Sequence, residues 1–318
     1  MLKVAVINDY QNVFRRMTDW GPLEHIAELT FFQDHLTDEA AIARRLSAFD
    51  VVIAERERTH FTAALFSRLD RLKLLVTTGT HNRFIDFAAA AARGVTVTNT
   101  EAVMSAAPEL TWGLILSLTR RIAWDHAAIR AGGWQTGVGT SIRGKTLGII
   151  GMGITGRQMV LLANAFGMKT VAWSRSLDDA GARAAGTTRV ELDDLLRGSD
   201  VVSLHLVLGD RTRGMFGRRE LALMKPSAFL INTSRGPLVH EQALVDALQQ
   251  GRIAGAGLDV YDQEPLPADH PLRRLDNVVL TPHTGYITDE QYALCWRQAV
   301  ENVLAYAAGT PIRVMTEP

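Results

Sequence analysis

Residues 146–156 read TLGIIGMGITG, and this stretch decides the fold class. Its first five residues predict a short buried strand, its glycines predict a tight turn, and residues 157–165 predict a helix. Gly151, Gly153 and Gly156 have the spacing G-x-G-x-x-G. Between a strand and a helix, that spacing is typical of dinucleotide binding.

Each of the three glycines has its own predicted task. Gly151 permits the sharp turn, Gly153 lets a pyrophosphate approach the backbone, and Gly156 lets the helix pack closely on the strand. The first N–H groups of the helix and its positive dipole end would bind that pyrophosphate. We also expect Ile154 and Thr155, in the first helical turn, to contact the cofactor.

Length and composition indicate a globular protein of two domains. The chain has 318 residues, is 47% hydrophobic, and balances 34 positive against 34 negative side chains. This balance gives no general attraction to nucleic acid or to an anionic membrane, and no apolar run is long enough for a membrane span. The single cysteine, Cys295, excludes an intrachain disulfide and fits a reducing cytoplasm. We therefore expect a cytoplasmic protein whose partner is a small molecule.

Strand and helix patterns alternate along the chain, which predicts parallel sheets covered by helices on both faces. One series occupies the first hundred residues, and a second begins at the glycine strand. Residues 101–129 predict one long helix between them, and residues 288–308 predict a helix that returns to the first domain. We predict α/β architecture with two doubly wound, Rossmann-like domains and a cleft between them. Residues 1–99 plus 287–318 would form the substrate domain, and residues 100–286 the dinucleotide-binding domain.

The end of the second cofactor strand indicates which dinucleotide is bound. In such folds an acidic residue at this point, about 20 residues beyond the glycines, binds the ribose diol. Here the strand is followed by Ser174, Arg175 and Ser176, and Asp178 comes too late. Because an arginine pairs with a phosphate through a planar fork, we predict NADP over NAD. Binding of NAD through the two hydroxyls stays open.

Three later strands are followed by the motifs N-T-S-R-G, D-V-Y-D-Q-E-P and T-P-H-T-G, which contain Arg235, Glu264 and His283. Ligands bind beyond the carboxyl ends of parallel strands, so these side chains should meet in one crevice. An arginine can hold a carboxylate by two parallel hydrogen bonds, and a His–Glu pair is a proton donor near neutral pH.

With these motifs in this order behind G-x-G-x-x-G, the chain resembles the D-isomer-specific 2-hydroxyacid dehydrogenase family over essentially its whole length. The resemblance implies reversible hydride transfer between a nicotinamide cofactor and a small 2-oxo or 2-hydroxy acid. It implies that Arg235 binds the substrate carboxylate and carbonyl, that His283 donates or accepts the proton, and that Glu264 hydrogen-bonds His283.

The resemblance also assigns binding residues. Backbone N–H groups of Thr78, Gly79 and Thr80 would bind the substrate carboxylate, and Asp259 would contact the nicotinamide end. The complete set of predicted cofactor contacts is Gly151, Gly153, Ile154, Thr155, Gly156, Ser174, Arg175, Ser176, His205, Leu206, Val207, Thr233, Ser234, Asp259, His283 and Gly285. The family usually has Arg-Ile or Ser-Ile where this chain has Ile154 and Thr155, which leaves the details of phosphate binding open.

Our leading substrate prediction is glyoxylate or hydroxypyruvate, because NADP use in this family goes with reductases. Two alternatives are a corepressor-like, nucleotide-sensing scaffold on the same fold and a 3-phosphoglycerate dehydrogenase without a regulatory domain. The long helix would suit a homodimer interface, as in the family, and would equally suit burial within one chain. We expect no metal site, since His240-Glu241 is followed by Leu244 where a zinc helix needs its second histidine.

Overall fold

The computed structural model describes residues 1–317, and the chain forms two compact units. One contains Met1–Val103 and Ile287–Pro318, and the other contains Met104–Tyr286. The division that we placed after residue 99 falls in the same connecting loop.

The first unit is built on a five-stranded parallel sheet with the strand order β2-β1-β3-β4-β5. Its strands are β1 (Leu2–Ile7), β2 (Ala27–Phe31), β3 (Val51–Ala54), β4 (Leu74–Thr77) and β5 (Thr96–Thr98). Its helices are α1 (Phe14–Met17), α2 (Gly21–Glu24), α3 (Glu39–Leu46), α4 (Ala63–Phe66), α5 (Phe87–Ala92) and the C-terminal helix Asp289–Ala307. Cys295 lies buried on that last helix, and burial raises the pKa of its thiol to about 12.

The second unit is built on a seven-stranded parallel sheet with the order β12-β11-β10-β9-β6-β7-β8. Its strands are β6 (Thr146–Ile150), β7 (Lys169–Trp173), β8 (Thr188–Arg189), β9 (Val201–Leu204), β10 (Phe229–Asn232), β11 (Gly255–Leu258) and β12 (Val278–Leu280). Its helices are α6 (Ala106–Thr119), α7 (Ile122–Arg130), α8 (Ile154–Ala165), α9 (Asp179–Ala184), α10 (Leu192–Gly198), α11 (Arg218–Leu223) and α12 (Glu241–Gln249). The predicted α/β class with two parallel, Rossmann-like sheets is confirmed.

Strand register brings the sequence motifs of the second unit to one edge. Ile150 at the end of β6 pairs with Leu204 at the end of β9. Leu204 pairs in turn with Asn232, Asn232 with Leu258, and Leu258 with Leu280. Because the last residues of these neighbouring strands are in register, the loops that follow them all start at the same level.

The single long helix that we predicted over residues 101–129 is wrong. Two helices form instead, α6 and α7, and they are separated at Arg121, which has a left-handed φ of +56°. α6 buries eight of its residues, whereas α7 buries none. Pro108 lies in the first turn of α6, where a missing N–H costs no helical hydrogen bond.

Among residues 1–317, no helix has the length and apolarity that crossing a membrane requires.

Candidate active site

The glycine turn between β6 and α8 has the shape of a pyrophosphate cradle. Gly151 has a φ of +100°, and a Cβ there would lie 2.3 Å from the carbonyl oxygen of His205. A Cβ on Gly156 would lie 2.0 Å from the carbonyl oxygen of Gly151, so only glycine lets α8 pack this closely.

Gly153 provides the open side of this cradle. It is the N-cap residue of α8 and makes no side-chain bond to the first N–H groups of the helix. Within the described chain, and apart from its chain neighbours, no heavy atom lies within 4 Å of the place where its Cβ would stand. Uncapped N–H groups facing open space at a helix N-terminus fit an anionic pyrophosphate, so these residues fit a dinucleotide cofactor.

The end of β7 lies directly beside the glycine turn, because the Gly151 N–H donates to the Trp173 carbonyl oxygen at 2.9 Å. Ser174 follows and is half-buried, while Arg175 and Ser176 are exposed in the turn. The three predicted residues therefore follow the strand that lies beside the glycine turn, and their contact with a phosphate stays a prediction.

The nearest carboxylate in sequence already has another task. Asp178 caps α9 by accepting a hydrogen bond from the Gly181 N–H at 2.7 Å.

In the first turn of α8, Ile154 is exposed and Thr155 is half-buried. A hydrogen bond from the Thr155 hydroxyl to a phosphate oxygen stays a prediction.

His205 continues this edge beyond β9. Its backbone N–H donates to the Ile150 carbonyl oxygen at 2.7 Å, and its Nε2 lies 2.9 Å from the Ser203 hydroxyl. Burial lowers the pKa of His205 to about 4, so its imidazole is neutral at pH 7. Leu206 is half-buried and Val207 exposed, which suits the predicted lining of the adenine side.

The segment after β10 is held by hydrogen bonds within itself and to neighbouring elements. The Asn232 side-chain amide donates to the Arg235 carbonyl oxygen at 2.9 Å, and the Ser234 hydroxyl donates to that of Leu204 at 2.7 Å. The Arg235 guanidinium donates through Nη1 to the Ser234 carbonyl oxygen at 2.7 Å. Thr233 lies 2.7 Å, oxygen to oxygen, from a threonine hydroxyl of α6. One terminal nitrogen of the guanidinium is thus held by the Ser234 backbone, and the Arg235 side chain is half-buried.

His283 and Glu264 form the predicted pair. Nδ1 of His283 lies 2.5 Å from Oε2 of Glu264, and Oε1 of Glu264 accepts a hydrogen bond from the Tyr261 N–H at 2.9 Å. The Tyr286 ring packs edgewise on the imidazole, with centroids 5.8 Å apart. Since Nδ1 faces the carboxylate, Nε2 is the nitrogen that can exchange a proton with a substrate.

Asp259 organises the loop that carries His283. Its carboxylate is fully buried and accepts from the Thr281 hydroxyl at 2.6 Å, from the Thr284 N–H at 2.8 Å and from the Gly285 N–H at 2.8 Å. His283 itself has a left-handed φ of +54°. Both carboxylate oxygens of Asp259 therefore hold this loop, and its predicted contact with the nicotinamide stays a prediction.

In the first unit, the loop of Thr78, Gly79 and Thr80 follows β4. The Thr78 N–H donates to the Ala54 carbonyl oxygen at 3.1 Å, and the Gly79 N–H donates to the Thr100 hydroxyl at 2.8 Å. We expected all three N–H groups to bind the substrate carboxylate. Two of them serve the fold of the loop instead, which leaves Thr80 as the candidate for a backbone bond.

Sequence reasoning gave no role to Tyr261, Asn232 or Thr100, although each holds a predicted site residue. Asn232 opens the N-T-S-R-G motif, and its place just before the arginine was the available signal. Tyr261 stands inside the second motif, but its contacts depend on the neighbouring strand. For Thr100 the local sequence carries no such signal.

Comparisons with known proteins identify the family of this chain. Residues 112–285 match the family model described as D-isomer specific 2-hydroxyacid dehydrogenase, NAD binding domain. A glyoxylate reductase of Aeropyrum pernix is 40% identical over 277 residues, which are 84% of this chain and 82% of that protein. A hydroxypyruvate reductase of Blautia hydrogenotrophica is 30% identical over 309 residues, covering 94% of this chain and 95% of its own.

A solved structure is similar over nearly the full length. The crystal structure of a phosphoglycerate oxidoreductase from Vibrio cholerae has a TM-score of 0.92 and 35% identity, and the match covers 97% of this chain and all of that one (100%). The chain belongs to the D-isomer-specific 2-hydroxyacid dehydrogenase family. It is therefore an oxidoreductase that transfers a hydride between a nicotinamide cofactor and a 2-oxo or 2-hydroxy acid, and the scaffold alternative is set aside.

Proposed function

We propose that this enzyme is a glyoxylate or hydroxypyruvate reductase that prefers NADPH. The observation that carries the chemistry is the 2.5 Å contact between His283 Nδ1 and Glu264 Oε2, at the same sheet edge as Arg235. Relatives named glyoxylate reductase and hydroxypyruvate reductase support the substrate class.

In the proposed reaction, each residue of this edge has a separate task. Arg235 binds the substrate carboxylate through its guanidinium and so orients the carbonyl group. A bound reduced nicotinamide supplies the hydride to the carbonyl carbon. His283 donates the proton from Nε2 to the developing alkoxide, and the Glu264 carboxylate stabilises the imidazolium before that transfer. Oxidation of the hydroxy acid runs these roles in reverse, with neutral His283 as the base.

The cofactor would lie along the edge from the glycine turn toward β12. Gly151, Gly153 and Gly156 would hold the pyrophosphate at the N-terminus of α8, with Thr155 as an added donor. Preference for NADPH rests on exposed Arg175, flanked by Ser174 and Ser176, and on the capping role of Asp178. An arginine without a competing carboxylate favours a 2′-phosphate.

The proposed homodimer rests on the surface that α7 and the following loop expose. α7 buries none of its residues, and Trp134 and Val138 beyond it are 73% and 96% exposed. Exposed apolar side chains of this size favour association with a second copy. Sedimentation equilibrium should give twice the chain mass, and Trp134→Glu should lower the measured mass. A monomeric native protein would contradict the proposed dimer.

The cytoplasmic location expected from the single cysteine remains part of the proposal.

A panel of 2-oxo acids assayed with NADH and NADPH tests the proposal. Glyoxylate and hydroxypyruvate should give the highest kcat/KM, and NADPH should support a higher value than NADH. The panel should include oxidation of 3-phosphoglycerate, because the similar Vibrio cholerae structure is named a phosphoglycerate oxidoreductase. Faster turnover of the phosphorylated acid would replace our substrate proposal by that second candidate.

A further inference from the structure

Tyr261 hydrogen-bonds Glu264 and the segment that leads to His283. Its backbone N–H donates to Glu264 Oε1 at 2.9 Å. Its phenol hydroxyl lies 2.8 Å from the carbonyl oxygen of Thr281, two residues before His283, and 3.2 Å from that of Leu258. One residue thus bonds the turn that carries the glutamate and the loop that carries the histidine.

The phenol extends the sheet beyond its last regular hydrogen bond. The Thr281 N–H donates to the Leu258 carbonyl oxygen at 2.9 Å, which closes the β11–β12 ladder. The Tyr261 hydroxyl bonds across the same two residues and so adds one more link at the point where the His283 loop leaves the sheet. A third segment packs here too, since a Cβ on Gly236 would lie 2.1 Å from the carbonyl carbon of Tyr261.

The loop needs such hydrogen bonds because its central residue, His283, has an unfavourable backbone conformation. His283 has a φ of +54°, a left-handed conformation that costs a non-glycine residue free energy. Asp259 holds the backbone after His283 through the N–H groups of Thr284 and Gly285. The Tyr261 hydroxyl holds the backbone before it, at the Thr281 carbonyl oxygen. Removal of either support would let the loop relax away from Glu264.

The phenol is suited to a purely structural bond. Tyr261 is 7% exposed, and burial together with the nearby negative charges of Asp259 and Glu264 raises the pKa of its phenol, against a smaller opposing effect of Arg273. The hydroxyl therefore stays protonated and keeps donating at any pH at which the enzyme works.

We propose that Tyr261 is a positioning residue whose phenol hydroxyl holds the His283 loop against the Glu264 turn and thereby fixes the imidazole–carboxylate pair. The proposal rests on the assignment of the proton step to His283 and Glu264. Tyr261 acts through that pair and need not touch the substrate or the cofactor.

The test is Tyr261→Phe, which removes one hydroxyl and keeps the ring. Loss of one neutral hydrogen bond predicts a fall in kcat for reduction of about threefold to tenfold, with the KM for the cofactor within about twofold. The midpoint of the reductive pH profile should move to lower pH, because an imidazole held less firmly against Glu264 is stabilised less as the imidazolium. Tyr306→Phe, the same chemical change on the C-terminal helix, is the matched control and should leave rate and profile unchanged.

The double variant Tyr261→Phe with Glu264→Gln separates a positioning role from a general loss of stability. If Tyr261 acts through the pair, its effect on the pH midpoint disappears once Glu264 has no charge. Two results would overturn the proposal, even if the melting temperature falls. One is an unchanged midpoint in Tyr261→Phe, and the other is a shift of equal size in the native and Glu264→Gln backgrounds.

Glu264→Gln alone shows which assignment has failed. If this variant moves the profile and Tyr261→Phe does not, only the role of Tyr261 is wrong. If Glu264→Gln leaves the profile in place, the acid–base pair itself is wrong, and the role of Tyr261 fails with it.

Discussion

The two ends of the second sheet's edge are built on opposite principles. At β6 and β7 the site is formed by backbone groups beside an open volume. Gly151 and Gly156 have no room for a side chain, and no atom of residues 1–317 fills the space beside Gly153. At β10 to β12 the site is made of side chains that are hydrogen-bonded to other groups of the protein, as His283 is to Glu264. The first end is suited to receive a large anion, and the second is suited to hold a proton at one place.

This difference predicts which measured quantity each substitution will change. Changes at the glycine end should alter cofactor binding and leave the chemical step nearly intact. Changes at the acid–base end should alter the rate and its dependence on pH while the cofactor still binds. The following variants test this division, in order of decreasing expected effect.

His283→Ala should have the largest effect. Loss of a general acid lowers the rate by about 10²–10⁴-fold, so turnover in both directions should nearly vanish. Fluorescence titration should show that NADPH still binds with close to native affinity. Loss of cofactor binding in a folded His283→Ala protein would show that the two ends are not separate.

Arg235→Lys should come next, because an ammonium group cannot reproduce a bidentate fork. The loss of one charge-assisted interaction, about 1.5–3 kcal/mol, corresponds to roughly a tenfold to hundredfold fall in kcat/KM for the 2-oxo acid. Steady-state kinetics with saturating cofactor measure this. Native efficiency in the lysine variant would remove Arg235 as the carboxylate anchor.

Arg175→Ala tests the opposite end and should act on binding alone. The KM for NADPH should rise by about fivefold, while kcat and the KM for NADH stay near native values. Both dinucleotides must be compared in the same preparation. Tighter binding of NADH than of NADPH by the native enzyme would contradict the proposed preference.

Asp200→Asn should change stability without changing either function. The Asp200 carboxylate accepts from the Thr146 N–H at 2.8 Å and from the Lys225 ammonium at 3.1 Å. Burial alone would raise the pKa of Asp200, but these two hydrogen bonds and the lysine charges lower it below its ordinary 3.8. Its stabilisation is therefore fully present above about pH 4 and is lost as pH falls through the lowered pKa.

Thermal unfolding at two pH values measures this effect. At pH 7 the asparagine variant should be less stable by about 1–3 kcal/mol, and the difference from the native protein should shrink at pH 3. An equal difference at both values would show that the charge of Asp200 does not contribute.

Much of this division could be predicted from the sequence, because it depends on local signals. The strands β10, β11 and β12 are short apolar runs with polar motifs directly behind them, and the structure has a strand before each motif, as predicted. The strands β2 and β8 carry no such signal, since both are half-exposed edge strands with little apolar pattern. The sequence also gives no signal for the left-handed backbone of Arg121, which divides an apolar helical pattern into two helices.

The finer parts of the site depend on contacts between distant residues. The Thr78 and Gly79 N–H groups were expected to bind substrate, but their partners, Ala54 and Thr100, come from neighbouring strands and loops. The bond from the Tyr261 phenol to Thr281 spans 20 positions and exists only when β11 and β12 are paired. A motif indicates which side chains carry the chemistry, and the register of the sheet decides what holds them.

The central claim is that His283 and Glu264 form the proton-transfer pair. The most direct test is the pH dependence of kcat/KM in both directions, in the native enzyme and in Glu264→Gln. Reduction needs protonated His283 and should fall as pH rises, while oxidation should rise over the same interval. In Glu264→Gln the imidazolium loses a neighbouring negative charge, so both profiles should move together to lower pH. Profiles that stay in place in the variant would contradict the pairing, even though the family assignment would stand.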